Sequence, residues 1–325
     1  MFALAMTRLM FVTDVHGSDI CFRKMITACT MYKVDVALVS ELTGKFIVPI
    51  VKHPDGTQEA ILPEGSIAKI KSEVDLKKVE DNARAVGMYT FYTTLEKYQG
   101  YKESGGYKDT EEVNKIFHDK IQERMIEWVK LAEEKLANTN TRFFMMPGND
   151  DYFYVDEIIN NSSYVKNLEG KVFDIDDVHQ MGGTGYSNMT PWKCPRDISE
   201  EELAKKLDGI ASQVKDMKNF ILHTHPPPYD TKLDSAPKVD ENLKIVYKGG
   251  GTVLASVGST AVRAFIEKYQ PLLGLHGHIH ECKGVDKIGK TPVINPGSEY
   301  ITGTLSALLI NIDEKGIKGH RFIMG

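Results

Sequence analysis

The chain contains 325 residues, of which 42% are hydrophobic and 26% are charged, and such a chain can bury a large core without disulfide support. Its net charge of −5, from 40 basic and 45 acidic residues, argues against a broad nucleic-acid-binding surface, although a local one stays open. No apolar run approaches the roughly 20 residues of a membrane span. Four cysteines without a CxxC spacing favour reduced thiols and a cytoplasmic location.

Apolar strands alternate with amphipathic helices along the chain. In chain order, the patterns predict a strand over 8–13, a helix from 18, a strand over 34–39, a hairpin over 46–62 and a surface loop over 100–106. They then predict a helix over 111–137, a strand over 142–146, a capped helical stripe over 199–217, a strand over 220–224 and a helix over 259–269. Strands over 272–275, 292–294 and 305–312 follow. This order predicts one α/β domain over 1–325, with an inserted hairpin and loop region at about 46–110.

Polar side chains that commonly bind ligands follow five of the predicted strands. In open α/β sheets, ligands bind at the carboxyl ends of the strands. We therefore expect these side chains to meet at one edge. They are Asp14 and His16, Glu41, Asn149 and Asp150, His223 and His225, and His276, His278 and His280.

Each of these groups has an ordinary explanation when it is taken alone. Asp14 and Asn149 are common turn residues, and Glu41 is a plausible helix or turn cap. Taken together, about seven ligands of mixed nitrogen and oxygen type suit two divalent ions such as Mn, Fe, Zn, Co or Ni, rather than a cysteine-rich structural zinc. Two ions roughly 3.5–4 Å apart are a common catalytic centre in enzymes that hydrolyse phosphoesters.

The order of the motifs is more specific than any one of them. It runs through D-x-H at 14–16, a strand-end acid with LTGK at 41–45, G-N-acid at 148–150, H-x-P-P at 225–228 and GHIH at 277–280. This order resembles the calcineurin-like metallophosphoesterase superfamily. The resemblance implies an αββα sandwich of two mixed β-sheets flanked by helices. It also implies hydrolysis of phosphoester bonds, most simply by a phosphodiesterase with a dinuclear metal centre and a bridging hydroxide nucleophile.

The resemblance also implies roles for individual residues. The first metal is assigned Asp14, His16 and His280, and the second Asn149, His278 and one histidine of the 223–225 segment. Alignment on the prolines selects His225, whereas strand parity places His223 and His225 on the same side and leaves both open. Glu41 stands where the family has a bridging aspartate and is one methylene longer, so it can bridge with altered spacing.

Asp150 stands where many members of the superfamily carry a histidine that protonates the leaving group. An aspartate beside divalent cations is ionised and is a poor general acid. We therefore expect a small phosphoester substrate whose leaving group needs no proton, such as an activated diester or an anhydride. A nucleotide phosphatase or nuclease, and a non-catalytic scaffold on the same fold, stay open as alternatives. Manganese is one candidate metal, and no membrane partner is expected.

Overall fold

The computed structural model describes residues 6–103 and 110–325. Its strands are β1 (Thr7–Val12), β2 (Val36–Ser40), β3 (Phe46–Lys52), β4 (Gln58–Ile61), β5 (Ile67–Ile70), β6 (Met88–Thr94), β7 (Arg142–Met146), β8 (Lys166–Asn167), β9 (Val172–Asp174), β10 (Gln180–Thr184), β11 (Ser187–Asn188), β12 (Asp197–Ile198), β13 (Phe220–Thr224), β14 (Ser235–Pro237), β15 (Tyr247–Lys248), β16 (Gly251–Thr252), β17 (Leu254–Ser256), β18 (Leu273–Leu275), β19 (Gly284–Ile288), β20 (Thr291–Asn295), β21 (Ser306–Asp313) and β22 (Gly316–Met324). Its α-helices are α1 (Asp19–Met31), α2 (Glu73–Ala85), α3 (Leu95–Glu103), α4 (Glu111–Leu136), α5 (Tyr154–Asn160), α6 (Glu200–Ala211) and α7 (Thr260–Tyr269).

Two six-stranded sheets form the centre of the fold. The first has the order β22-β21-β1-β2-β7-β8 and the second the order β19-β20-β18-β13-β10-β9. In the first sheet β1, β2, β7 and β8 are parallel, whereas β21 and β22 are antiparallel to their neighbours. In the second, β10, β13, β18 and β20 are parallel, and β9 and β19 are antiparallel edges. Both sheets are therefore mixed.

The side chains of β1 alternate between two apolar cores. Leu9 and Phe11 pack between the two sheets, where Ile221 of the second sheet joins them. Met10 and Val12 point the other way, into the core beneath α1 and α4. A third apolar cluster packs α6 and α7 on the outer face of the second sheet. The sheets face each other with helices outside, so the predicted αββα sandwich is confirmed.

A third sheet lies within the region predicted to be inserted. Its four strands have the order β5-β4-β3-β6, and the predicted 46–62 hairpin is confirmed as the antiparallel β3–β4 pair. Val48, Ile50 and Ala60 form its own small core, against which α2 packs Leu76. The assignment of 1–325 to one domain with an insertion stays a prediction.

Two local predictions were wrong in part. Residues 100–103 of the predicted 100–106 loop are the last turn of α3, which buries Tyr98; residues 104–106 lie outside the described residues. The helix predicted from the apolar stripe over 199–217 is also shorter than predicted. Helix α6 ends at Ala211, and Asp216 then caps a separate 3₁₀ turn.

Within residues 6–103 and 110–325, no helix combines the length and the apolar character needed to cross a membrane.

Candidate metal centre

The predicted ligands lie in loops that follow β1, β2, β7, β13 and β18, and several have unusual backbone geometry. Asp14, His16, Glu41 and His278 have φ angles of 55°, 39°, 52° and 68°. Left-handed backbone costs a non-glycine residue of order 1–3 kcal/mol and is concentrated at functional sites. The first two loops support each other, because the N–H groups of Val15 and His16 both donate to the Glu41 carbonyl at 3.0 and 3.2 Å.

The buried Asp14 carboxylate lies at the centre of the cluster. Its Oδ1 lies 3.4 Å from His280 Nε2 and 3.8 Å from the Nε2 atoms of both His16 and His225. The Nε2 atoms of His16 and His280 are 3.0 Å apart. The backbone N–H of His278 donates to both Asp14 carboxylate oxygens, at 3.2 and 3.0 Å. Loops from both sheets therefore converge on one carboxylate.

Glu41 is fully buried, and neither of its carboxylate oxygens has a hydrogen-bond partner. Oε2 lies 3.0 Å from His225 Nε2, and Oε1 lies 3.9 Å from His16 Nδ1, without hydrogen-bond geometry. A Cβ on Gly148 would lie 1.9 Å from Oε2, so glycine leaves the room that the longer acid needs. Burial, together with the nearby charge of Asp151, raises the pKa of Glu41 to about 8.

The structure brings His225 into the cluster and places His223 elsewhere. His225 Nε2 lies 3.3 Å from His278 Nδ1. His223 hydrogen bonds through Nδ1 to the Leu275 carbonyl at 2.9 Å, and its ring packs edge-on against Phe11. Strand β13 ends before His225, so the alternation that treats the two histidines as equivalent no longer applies there.

Asn149 is buried, and its side chain has a defined orientation. Its amide nitrogen donates to Asp197 Oδ1 at 3.0 Å, and Asp197 is itself fixed by the backbone N–H groups of Thr190 and Cys194. Because the amide nitrogen is engaged, the carboxamide oxygen is the atom that Asn149 offers as a ligand.

Asp150 lies at the more open side of the cluster, in ionic contact with Lys45. Its Oδ2 also lies 3.9 Å from His16 Nδ1. Burial by itself would raise the pKa of Asp150, but the positive charge of Lys45 outweighs burial and lowers it to about 2. The carboxylate is therefore ionised at neutral pH.

The structure adds Asp151, which sequence reasoning missed. Its buried carboxylate accepts hydrogen bonds from the N–H and hydroxyl of Thr43 and from the N–H groups of Leu42 and Gly148, all between 2.6 and 2.8 Å. It therefore ties the loop after β2 to the loop after β7. No pattern in the sequence separates this residue from the adjacent Asp150.

Tyr300 was also missed, because it lies just beyond the 295–298 loop at which the family resemblance ends. Its ring centroid lies 4.8 Å from that of His16 and 5.7 Å from that of His280. The ring shields one side of the cluster from water. Lys45 could have been noticed, since it closes the LTGK motif, but nothing in the sequence connects it with Asp150.

The residues fit divalent cations. The cluster contains several buried atoms without a hydrogen-bond partner, namely Nδ1 of His16, both oxygens of Glu41 and Nδ1 of His225. Burial lowers the pKa of His278 to about 3 and that of His16 well below its usual value, so both rings are neutral and able to bind metal. Three overlapping groups have ligand atoms within 4.8 Å of one another: Asp14–His16–His280, Asp14–Glu41–His225 and His16–Glu41–Asp150.

The chain is similar to several known proteins. No family model matches the chain. The uncharacterized protein MJ1162 of Methanocaldococcus jannaschii is 33% identical over 189 residues, which cover 56% of this chain and 78% of that protein. The structure of TT1561 from Thermus thermophilus aligns with a TM-score of 0.50 at 13% identity over 99% of both chains. The calcineurin-like phosphoesterase YfkN from Bacillus subtilis aligns at 0.44 and 11% identity, over 99% of this chain and 91% of that one.

At these identities, the likeness to solved structures concerns the fold alone. The fold consists of two facing mixed sheets, and the ordered motifs meet at their strand ends. The chain belongs to one family with the M. jannaschii protein, and the order of its motifs resembles that of the calcineurin-like metallophosphoesterase superfamily.

Proposed function

We propose that this protein is a metal-dependent phosphodiesterase that hydrolyses small phosphoesters at a centre of two divalent ions. The observation that carries the proposal is a buried cluster of carboxylates and imidazoles from five strand ends, whose ligand atoms lie within 4.8 Å of one another in overlapping groups of three. Burying such charges is costly unless a partner of opposite charge compensates them. A pair of cations supplies that compensation.

The ligands divide into two sets around Glu41. One set is Asp14, His16 and His280, the other is Asn149, His225 and His278, and Glu41 lies between them. The short contacts of Asp14 with His280 and of Glu41 with His225 support this division. Mixed imidazole and oxygen donors suit Mn, Fe, Zn, Co or Ni. Such ions, when bound, lower the pKa of a coordinated water toward neutrality and neutralise charge on a phosphoester.

The residues of the chain also restrict the choice of leaving group. Asp150 is ionised and in contact with Lys45, so it does not carry the proton that an alkoxide leaving group needs. Tyr300 covers the imidazoles of His16 and His280 and limits access of bulk water. The ionised state of Asp150 favours activated diesters and anhydrides over alkyl esters.

Elemental analysis combined with hydrolysis of bis(p-nitrophenyl) phosphate, with and without Mn²⁺, tests the proposal. We expect about two ions per chain and turnover that a chelator abolishes. His280→Ala should lose metal and turnover, whereas the exposed His320→Ala should lose neither. Protein that binds no metal and hydrolyses no phosphoester would instead support a non-catalytic scaffold. Faster cleavage of nucleoside monophosphates or of DNA would favour a nucleotide phosphatase or a nuclease.

A further inference from the structure

Lys45 presents a cation at the open side of the metal centre. Its side chain is 41% exposed and contacts Asp150, which is 16% exposed, whereas the nearby Glu41 and His16 are almost completely buried. The Asp150 oxygen that Lys45 contacts lies 3.9 Å from His16 Nδ1. The ammonium group therefore lies one carboxylate away from a predicted metal ligand, on the more exposed side of the cluster.

The backbone around Lys45 is held in place. The preceding residue, Gly44, donates its N–H to the Tyr89 hydroxyl at 3.1 Å, and a Cβ on Gly44 would collide with the Gly87 carbonyl at 1.8 Å. Thr43, one residue earlier, is bonded to Asp151 through both its N–H and its hydroxyl. Lys45 thus begins from a fixed main chain, so that ordering it on a ligand costs side-chain entropy but no backbone entropy.

We propose that Lys45 binds an anionic leaving group, and that the preferred substrates are diphosphate diesters, in which one phosphate leaves from another. This inference rests on the proposed function. An ammonium group has three donors. Asp150 accepts one, and two stay available for phosphate oxygens. A departing phosphate carries its charge away without needing a proton, and a fixed cation stabilises that developing charge.

The reaction balances with water as the only co-reactant. A bond forms between the water oxygen and the attacked phosphorus, and the bond from that phosphorus to the bridging oxygen breaks. The electron pair of the broken bond stays on the bridging oxygen, which becomes part of the second phosphate. One proton of the water stays on the first phosphate product and the other is released to solvent. Lys45 remains protonated throughout and contacts the departing phosphate.

The experiment compares UDP-glucose, a diphosphate diester, with bis(p-nitrophenyl) phosphate, whose leaving group carries no second phosphate. In Lys45→Met we expect the ratio of the two kcat/KM values, UDP-glucose over aryl diester, to fall about tenfold or more, because a charge-assisted contact is lost. Lys45→Arg should keep the ratio within about threefold, since guanidinium also binds phosphate. The matched control is Lys97→Met, which removes the α3 lysine that forms an ion pair with Glu112 of α4. It should leave the ratio unchanged.

A binding measurement accompanies the kinetics. Methylenediphosphonate is a diphosphate analogue whose P–C–P linkage cannot be hydrolysed. Calorimetry should show its Kd rising about tenfold in Lys45→Met, with metal content unchanged. An equal loss on both substrates, or an unchanged Kd, would show that Lys45 only positions Asp150 and would overturn the inference. Wild-type protein that hydrolyses the aryl diester but not UDP-glucose would also overturn the inference. Failure to hydrolyse either substrate, with no metal bound, would overturn the proposed function instead.

Discussion

Replacing Asp151 with asparagine tests how the loops of the metal centre are held together. Oδ1 of the buried carboxylate accepts from the Thr43 N–H and hydroxyl, at 2.8 and 2.6 Å, and Oδ2 accepts from the N–H groups of Leu42 and Gly148, both at 2.8 Å. Asparagine has the same shape, but one of its two terminal atoms donates rather than accepts. At least one buried N–H must therefore lose its acceptor.

The expected loss in the free energy of unfolding follows from the more favourable of the two orientations of the asparagine amide. If the NH₂ group faces Thr43, the hydroxyl can rotate and accept from it, so that only the Thr43 N–H is left unpaired. An unsatisfied buried donor costs about 1–3 kcal/mol, and the remaining bonds lose their charge assistance. Burial disfavours the charged form of Asp151 and raises its pKa. The neutral amide avoids this cost, which offsets part of the lost stability. We expect the free energy of unfolding to fall by about 2 kcal/mol.

Urea unfolding of the metal-free protein, followed by tryptophan fluorescence, measures this change. The matched control is Asp177→Asn, an exposed aspartate, which should change the free energy of unfolding by less than about 0.5 kcal/mol. A loss below about 0.5 kcal/mol in Asp151→Asn would refute the reasoning. It would mean that the bonds to Leu42, Thr43 and Gly148 do not hold the two loops together.

Two further predictions concern charge in the centre. Burial and Asp151 raise the pKa of Glu41 to about 8, and Glu41 outweighs burial to raise that of His225 to about 9. Between pH 7 and 9 the folded metal-free protein therefore retains protons that the unfolded chain releases, and its Tm should fall over that range. Below pH 7 the lowered pKa values of buried histidines act in the opposite direction, namely those of His16, His223, His276 and His278. Glu41→Gln should flatten the dependence between pH 7 and 9; a Tm that rises with pH over that range would contradict the assignment. Asp150→Asn should lower turnover of an aryl diester about tenfold or less, and a thousandfold loss with intact metal content would identify Asp150 as an essential proton donor.

The sequence pattern predicts the strands and helices of an α/β fold well because the strands are short, strongly apolar and separated by amphipathic helices. The αββα sandwich itself was implied by the family resemblance. Strands such as 142–146 are buried on both faces, and their apolar runs are visible without any tertiary information. The ligand-bearing loops were predictable for a related reason, since parallel strands carry their carboxyl ends to one edge. The end of α6 at Ala211 was not predictable, because the apolar spacing continues past it into the separate 3₁₀ turn that Asp216 caps.

The finer structure of the centre depends on contacts between distant segments. Periodicity leaves His223 and His225 equivalent, and the end of β13 separates them in space. The pairing of Lys45 with Asp150 joins residues more than one hundred positions apart, and no pattern along the chain encodes it. The position of Tyr300 over His16 depends on the same kind of distant packing.

Anomalous X-ray diffraction from crystals soaked in Mn²⁺ tests the central claim most directly. The account predicts two anomalous peaks roughly 3.5–4 Å apart, with Glu41 between them. Asp14 should contact one peak and the Asn149 carboxamide oxygen the other. A map without anomalous density at these side chains, at saturating Mn²⁺, would contradict the claim that the unpartnered carboxylate and imidazoles form a dinuclear metal centre.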